Sequence, residues 1–284
     1  MAASLCYGLQ MIEGTILLVG CGKMGGALLK GWFAQGLSPV DVMIVEPAGR
    51  AGVESAKEHP ALSVLSDASE LPSDFTPDAV VFAVKPQAAP EVIPAYARFA
   101  EGGTVYLSII AGLPSGRLQG FLGPDAAIVR AMPNTPAAIG RGMSVLYAVD
   151  SVGPSQKRVC KVLMAAAGQT AWITDEADMD AVTAVSGSGP AYVFFLAEAL
   201  TEAGIAEGLE PALAVQLATA TVSGAGALLD AGPQPADVLR KNVTSPGGTT
   251  EAALKVLMAE DGMIQLLKLA VKAAAVRSRE LARS

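Results

Sequence analysis

Thr15-Ile16-Leu17-Leu18-Val19-Gly20-Cys21-Gly22-Lys23-Met24-Gly25-Gly26 is the stretch whose reading decides the fold. It opens as a short continuous apolar run, the mark of a strand buried on both faces of a parallel sheet. The glycines then make a turn, and residues 27–35 repeat their apolar side chains at helical spacing. Strand, Gly-x-Gly-x-x-Gly turn and helix in that order fit the dinucleotide-binding fingerprint. Gly20 allows the tight turn, Gly22 lets a pyrophosphate approach the backbone, and Gly25 lets the helix pack on the strand. Cys21, Lys23 and Met24 complete the loop, with Cys21 read as a small structural side chain.

Outward from this unit, strand-like runs recur at residues 42–46, 79–84, 104–109, 127–130 and 143–147. Helical patterns lie between several of them, at 91–99 and 155–166. This alternation predicts an α/β fold with a doubly wound parallel sheet over the first ~170 residues. After Thr174 strand runs almost vanish, and helical stretches follow at 178–186, 190–204, 211–230 and 250–283. Pro190, Pro211 and Pro235 stand where helices can start. The expected organisation is a dinucleotide-binding domain over residues 1–175 and an all-helical domain over 176–284. Residues 1–14 are read as a loose extension.

The 284 residues suffice for two cores. A composition 51% hydrophobic, 17% charged and 5% aromatic suits an enzyme of this class and argues against disorder. Net charge is −7 and no Lys/Arg cluster appears, which argues against a nucleic-acid partner. No apolar run is read as approaching a membrane span, so no membrane is expected. The positive mean hydropathy of +0.43 is assigned instead to helix packing between subunits. Cys6, Cys21 and Cys160 lack metal or disulfide spacing, and the N-terminus makes a poor signal peptide; both point to the cytoplasm.

Glu46 ends the second strand, where an acid would hold a ribose 2′-hydroxyl and favour NAD over NADP. Arg50 could instead serve a 2′-phosphate if Glu46 turned away. Val84-Lys85-Pro86-Gln87 and Ser108-Ile109-Ile110-Ala111-Gly112 end further strands on the same edge. Small residues there leave room for a nicotinamide ring, although plain turn chemistry would also explain them. The one histidine, His59, precedes Pro60 in an expected surface loop. Histidine acid–base catalysis is therefore poorly supported, and no metal site is expected. A reductase without a strong acid needs an electrophile carrying its own activation, as a protonated imine does.

A second anion-binding device is Val243-Thr244-Ser245-Pro246-Gly247-Gly248-Thr249-Thr250-Glu251. Pro246 and the two glycines shape a loop, with Thr249 or Thr250 as the expected N-cap of a following helix. Its amides and hydroxyls can converge on an anion favoured by the helix dipole. The plainer alternative is ordinary capping. Two anion sites suggest a cofactor and an acidic substrate. Residues 183–192, with Ser186 and Ser188, read either as a close-packed helix kink or as a hydroxyl-lined floor. Residues 131–136, including Asn134, end a strand that can face the same cleft.

Residues 20–26, 83–87, 130–136, 186–191 and 243–250, in that order, resemble pyrroline-5-carboxylate reductases over nearly the whole chain. The resemblance implies a Rossmann-type first domain and reduction of L-1-pyrroline-5-carboxylate to L-proline with NADPH or NADH. It also implies a homodimer with interlocked C-terminal domains, and larger rings such as a decamer. Carried onto this sequence, Ser245, Gly247, Gly248 and Thr249 hold the substrate carboxylate, with Ser186 and Ser188 nearby. Thr250 bonds the ring nitrogen or a neighbouring group, and Val84, Lys85, Pro86, Ala111 and Asn134 lie along the cofactor. Glu46 departs from the small or basic residues often seen in NADPH-preferring members. A β-hydroxyacid dehydrogenase would carry a lysine on the first interdomain helix, and residues 178–195 contain none. A non-catalytic dinucleotide sensor would need no second anion loop.

Overall fold

The computed structural model describes residues 14–283, so the expectation for the N-terminal extension lies outside the described residues except at Gly14. The chain divides into two compact units. One runs through Gly187 and includes the end of the chain from Arg277; the other is Ser188–Val276.

The first unit holds eight strands: β1 (Ile16–Val19), β2 (Val42–Val45), β3 (Ser63–Leu65), β4 (Ala79–Phe82), β5 (Val105–Ser108), β6 (Ala127–Met132), β7 (Gly142–Ala148) and β8 (Gly168–Trp172). Their order is β3-β2-β1-β4-β5-β6-β7-β8. The chain runs outward from β1 to β3 and returns to β4 beside β1, which creates the switch point where such sheets bind ligands. β1 and β4 are buried along their whole length, as continuous apolar runs require.

Helix α1 (Lys23–Ala34) follows β1 directly. It buries Gly25, Leu28, Leu29 and Trp32, one face at helical spacing. Each large side chain so buried contributes roughly 1.5–3 kcal/mol, and the Trp32 Nε1–H donates to the Leu163 carbonyl at 2.9 Å. Short α2 (Ala89–Val92) continues as a 3-10 run to Gly102, where Pro90 and Pro94 cannot donate to a regular α ladder. Helices α3 (Ser115–Leu122), α4 (Pro154–Ala165) and α5 (Met179–Val182) complete the unit.

The sheet departs from the wholly parallel expectation at one pair, since β6 and β7 run antiparallel. They are joined by residues 133–141, which hold one 3-10 turn, Thr135–Ile139. Such a connection is too short for the crossover a parallel pair needs. Neither β3 nor β8 is a clear apolar run. β3 is half-buried, and β8 begins at a glycine and lies at the sheet edge.

The second unit contains α6 (Gly189–Ala206), α7 (Pro211–Asp230), α8 (Ala236–Asn242), α9 (Thr249–Leu257) and most of α10 (Met263–Arg283). The single helix expected over 250–283 is broken at residues 258–262, before α10. Pro211 is the first residue of α7, the position where its missing N–H costs nothing. At 20 residues and mean hydropathy 1.5, α7 is long and apolar enough to cross a membrane by length and composition. This corrects the expectation that no run approaches that length. Scattered Thr, Ser and Gly hide the run in the sequence, while its many alanines keep it apolar.

Among the described residues of this unit, Ala214 and Ala218 alone are buried. Phe194 and Phe195 are 62% and 67% exposed, and Leu213, Leu217, Leu228, Ile264, Leu266 and Leu269 are also open. An apolar surface on this scale marks an interaction face.

Candidate functional site

Parallel pairing from β2 to β6 brings the C-terminal ends of five strands to one edge, and most cofactor candidates stand there. After β1 the chain turns at Gly20, whose φ of +85° suits glycine and whose N–H donates to the Val45 carbonyl at 2.8 Å. A Cβ on Gly25 would stand 2.7 Å from the Gly20 carbonyl oxygen, so this glycine sets the close approach of helix to strand. A Cβ on Gly22 would meet nothing within 4 Å. Gly22 is the N-cap of α1 without a side-chain cap. The first-turn amides of Lys23 and Met24 thus have no intrahelical acceptor and no side-chain cap from Gly22, at the positive end of a helix. That cradle fits a pyrophosphate.

The Glu46 carboxylate sits against this loop, accepting from the Cys21 N–H at 2.8 Å and the Ala48 N–H at 3.3 Å. Burial, reinforced by that carboxylate, pushes the Cys21 thiol up to about 11, so it stays protonated and inert. Arg50 does not point a free guanidinium at the loop. It donates to the carbonyls of Leu62 and Ala56 at 2.7 Å each and of His59 at 2.9 Å, stapling the 3-10 region after β2. Those backbone carbonyls compete for the charge that a 2′-phosphate would need. His59 itself packs on Phe33, ring centres 4.3 Å apart.

Val84 is half-buried against the loop, its Cγ1 2.9 Å from where a Gly20 Cβ would stand. Lys85 and Pro86 are exposed and begin the 3-10 turn Pro86–Ala88. Ala111 is exposed in the loop leaving β5. Beyond β6, the Asn134 side-chain amide is engaged at both ends. Its Oδ1 accepts from the Met143 N–H at 2.9 Å, and its Nδ2 donates to the Ser186 carbonyl at 3.2 Å and hydroxyl at 3.3 Å. Ser186 lies in a π-turn, Thr183–Gly187, a geometry often found at functional sites. Ser188 is the N-cap of α6 in the other unit.

Three residues of this region escaped the sequence reading. Glu176 accepts from the Ser115 N–H at 2.8 Å and from the Ser115 hydroxyl, and pairs with Arg130. The Arg130 and Glu176 side chains are 11% and 25% exposed. Burial pushes the Glu176 carboxyl up, but the hydrogen bonds from Ser115 and Arg130 and the arginine charge outweigh it, leaving the group below its ordinary value. The detectable signal was Arg130 itself, a cation inside an apolar strand that requires a carboxylate.

In the helical unit, α9 starts at Thr249 with Gly248, not a threonine, as N-cap. Gly247 takes φ +70°, and its N–H donates to the Glu251 carboxylate at 2.9 Å; the Gly248 N–H donates to the Ser245 carbonyl at 3.0 Å. Both glycine amides therefore maintain the loop. The first-turn amides of Thr249 and Thr250 have no intrahelical acceptor, and Ser245 is exposed beside them in sequence. Thr250 is half-buried. Among the described residues no group of three or more His, Cys, Asp or Glu could hold a metal.

A Rossmann-type sheet with a glycine loop at the head of its first helix, in one chain with a helical unit that carries a Ser-Pro-Gly-Gly-Thr-Thr loop, defines a dinucleotide-dependent oxidoreductase class. Residues 15–112 match the family model described as NADP oxidoreductase, coenzyme F420-dependent, and residues 176–281 match pyrroline-5-carboxylate reductase dimerisation. The chain is 41% identical to the pyrroline-5-carboxylate reductase of Pseudomonas aeruginosa, over 94% of this chain and 96% of that protein. The solved pyrroline-5-carboxylate reductase of Coxiella burnetii superposes with a TM-score of 0.88 at 32% identity, covering 95% of this chain and 99% of that one. That of Plasmodium falciparum, solved with NADP bound, gives 0.78 at 30% identity, covering 96% and 99%. The chain belongs to the pyrroline-5-carboxylate reductase family.

Proposed function

We propose that this chain reduces L-1-pyrroline-5-carboxylate to L-proline with NADH or NADPH, the last step of proline biosynthesis. The observation that carries this reading is the 41% identity, along 94% of the chain, to a pyrroline-5-carboxylate reductase. The nicotinamide cofactor, when bound, supplies the hydride. The protein binds and orients. The first-turn amides of α1, with Gly20, Cys21, Gly22, Lys23, Met24 and Gly25 shaping their loop, hold the pyrophosphate. Glu46 takes the ribose hydroxyls while Arg50 braces the chain behind it. Val84, Lys85, Pro86 and Ala111 line the nicotinamide half, and Asn134 holds Ser186 in place.

The substrate carboxylate goes to Ser245 and the Thr249 and Thr250 amides, in a loop shaped by Gly247 and Gly248, with Ser186 and Ser188 as further hydroxyl partners. The Thr250 hydroxyl accepts a hydrogen bond from the protonated ring nitrogen. That nitrogen keeps its proton as the adjacent carbon is reduced and then takes a second proton from water, so no protein acid is required. Residues 1–175 and 176–284 serve as cofactor and substrate domains of a cytoplasmic homodimer with interlocked helical units, which assembles further into a decamer. The shortage of buried residues in Ser188–Val276 supports assembly. Purified protein is expected to oxidise NADH or NADPH only when pyrroline-5-carboxylate is supplied. No turnover with either cofactor, where a reference reductase works, overturns the assignment.

A further inference from the structure

The geometry points to Glu176 as a positioning residue for the nicotinamide end of the cofactor site, acting through Ser115 and Arg130. This rests on the dinucleotide-dependent reduction proposed above. The loop at residues 109–114 leaves β5 and ends at Ser115, the first residue of α3. At its strand end it is held by the sheet, since the Ile109 N–H donates to the Phe82 carbonyl at 3.0 Å and the Ile110 N–H to the Ser108 hydroxyl at 3.3 Å.

At its helix end the N-cap of α3 is Pro114, which offers no side-chain cap. Glu176 performs that task from a distant part of the chain, receiving both the amide and the hydroxyl of Ser115. The same carboxylate grips Arg130, two residues before the end of β6. β6 runs parallel to β5, so the chain segments leaving both strands share one edge. One half-buried carboxylate therefore ties together the Ala111 loop and the strand that leads to Asn134. It also fixes the start of the segment that ends at Ser186, which Asn134 holds.

These loops border the part of the sheet edge next to the switch point, where the nicotinamide ring has to be held. Among the described residues, the glycine loop at the end of β1 makes no hydrogen bond to Glu176, Ser115 or Arg130. Loosening Glu176 should therefore misplace the reacting ring and spare the adenosine half. A misplacement of about 1 Å costs up to roughly a hundredfold in rate.

The test compares wild type with Glu176→Ala, Glu176→Gln and Ser115→Ala. It measures the Kd for ADP-ribose, kcat at saturating cofactor and substrate, and the primary isotope effect with cofactor dideuterated at C4. Expected for Glu176→Ala are an ADP-ribose Kd within about threefold of wild type and kcat lowered about ten- to a hundredfold. The isotope effect should rise as hydride transfer becomes limiting. Gln, which can still accept from Ser115, should recover part of kcat. If the Ala variant does not fold, Gln and Ser115→Ala carry the test with the same pattern at smaller amplitude. A folded variant with wild-type kcat and isotope effect overturns the inference, as does a parallel loss of ADP-ribose binding and turnover. Failure of the wild type to turn over at all instead overturns the function on which it rests.

Discussion

Replacing Glu46 by serine should move the chain toward NADPH, and the size of the shift follows from where the carboxylate sits. Its two oxygens lie 2.8 Å from the Cys21 N–H and 3.3 Å from the Ala48 N–H, at the rim of the glycine loop. A 2′-phosphate on a ribose bound there would come within about 5 Å of the carboxylate. At that distance two unit charges repel by about 0.8 kcal/mol in water and about 3 kcal/mol at an effective dielectric near 20. Salt lowers both figures. Removing the acid also takes a ribose acceptor from NADH, worth about 1 kcal/mol. Together these raise the NADPH-to-NADH ratio of kcat/KM by about ten- to a few hundredfold.

The assay is steady-state kinetics with each cofactor at saturating pyrroline-5-carboxylate. A ratio unchanged within about twofold would refute the ribose contact. Arg50→Ala is the control. Because that guanidinium is stapled to three carbonyls, the variant should lose stability, by about 1–2 kcal/mol after allowance for solvent exposure. Its cofactor ratio should not move. A selective loss of NADPH activity would show the arginine reaching the 2′-phosphate.

Thr250→Ala should lower kcat by roughly ten- to a thousandfold if its hydroxyl orients the ring, with little change in cofactor binding; wild-type turnover removes that role. Phe195→Glu places a charge on a face 67% exposed in the single chain and should shift the protein to smaller species by light scattering. An unchanged mass would mean that this face stays in solvent. The Glu176 carboxyl is held below its ordinary value because hydrogen bonds and the Arg130 charge outweigh burial. A carboxyl depressed on folding stabilises fully above its unfolded value of about 4.3, and that contribution is lost as pH falls through the folded value. The melting-temperature gap between wild type and Glu176→Gln should therefore close on the acid side of about pH 4. A gap that widened there would contradict the ion pair.

The features legible in the sequence are those fixed over a few neighbouring residues. Gly20 needs its positive φ and Gly25 its missing side chain for reasons confined to one strand–turn–helix unit, and so the cofactor end could be read directly. The Ser245–Thr250 stretch was legible as a glycine turn into a helix start for the same reason. Its details were not: Glu251, four residues after Gly247, takes the amide that had been assigned to a ligand. A carboxylate on the third residue of a helix competes for the same donors as a bound anion, and spacing alone does not say which will have them. The antiparallel β6–β7 pair was missed because strand direction depends on the length and course of the connection and leaves no trace in either strand's apolar pattern.

Arg50 and Glu176 show what distance along the chain conceals. Arg50 looked available beside the cofactor loop because its acceptors are backbone carbonyls, present at every position and aimed only once the chain has folded. Glu176 drew no reading from the sequence, since its partners stand 61 and 46 residues earlier. Yet Arg130 posed a question the sequence could answer in part. A guanidinium in the middle of Ala-Ile-Val-Arg-Ala-Met cannot be buried unpaired, because leaving one member of such a pair alone costs about 3–5 kcal/mol. A carboxylate was therefore owed to that strand. The residue that answers it also caps α3, so the requirement that made Arg130 tolerable couples two loops at the carboxyl edge of the sheet.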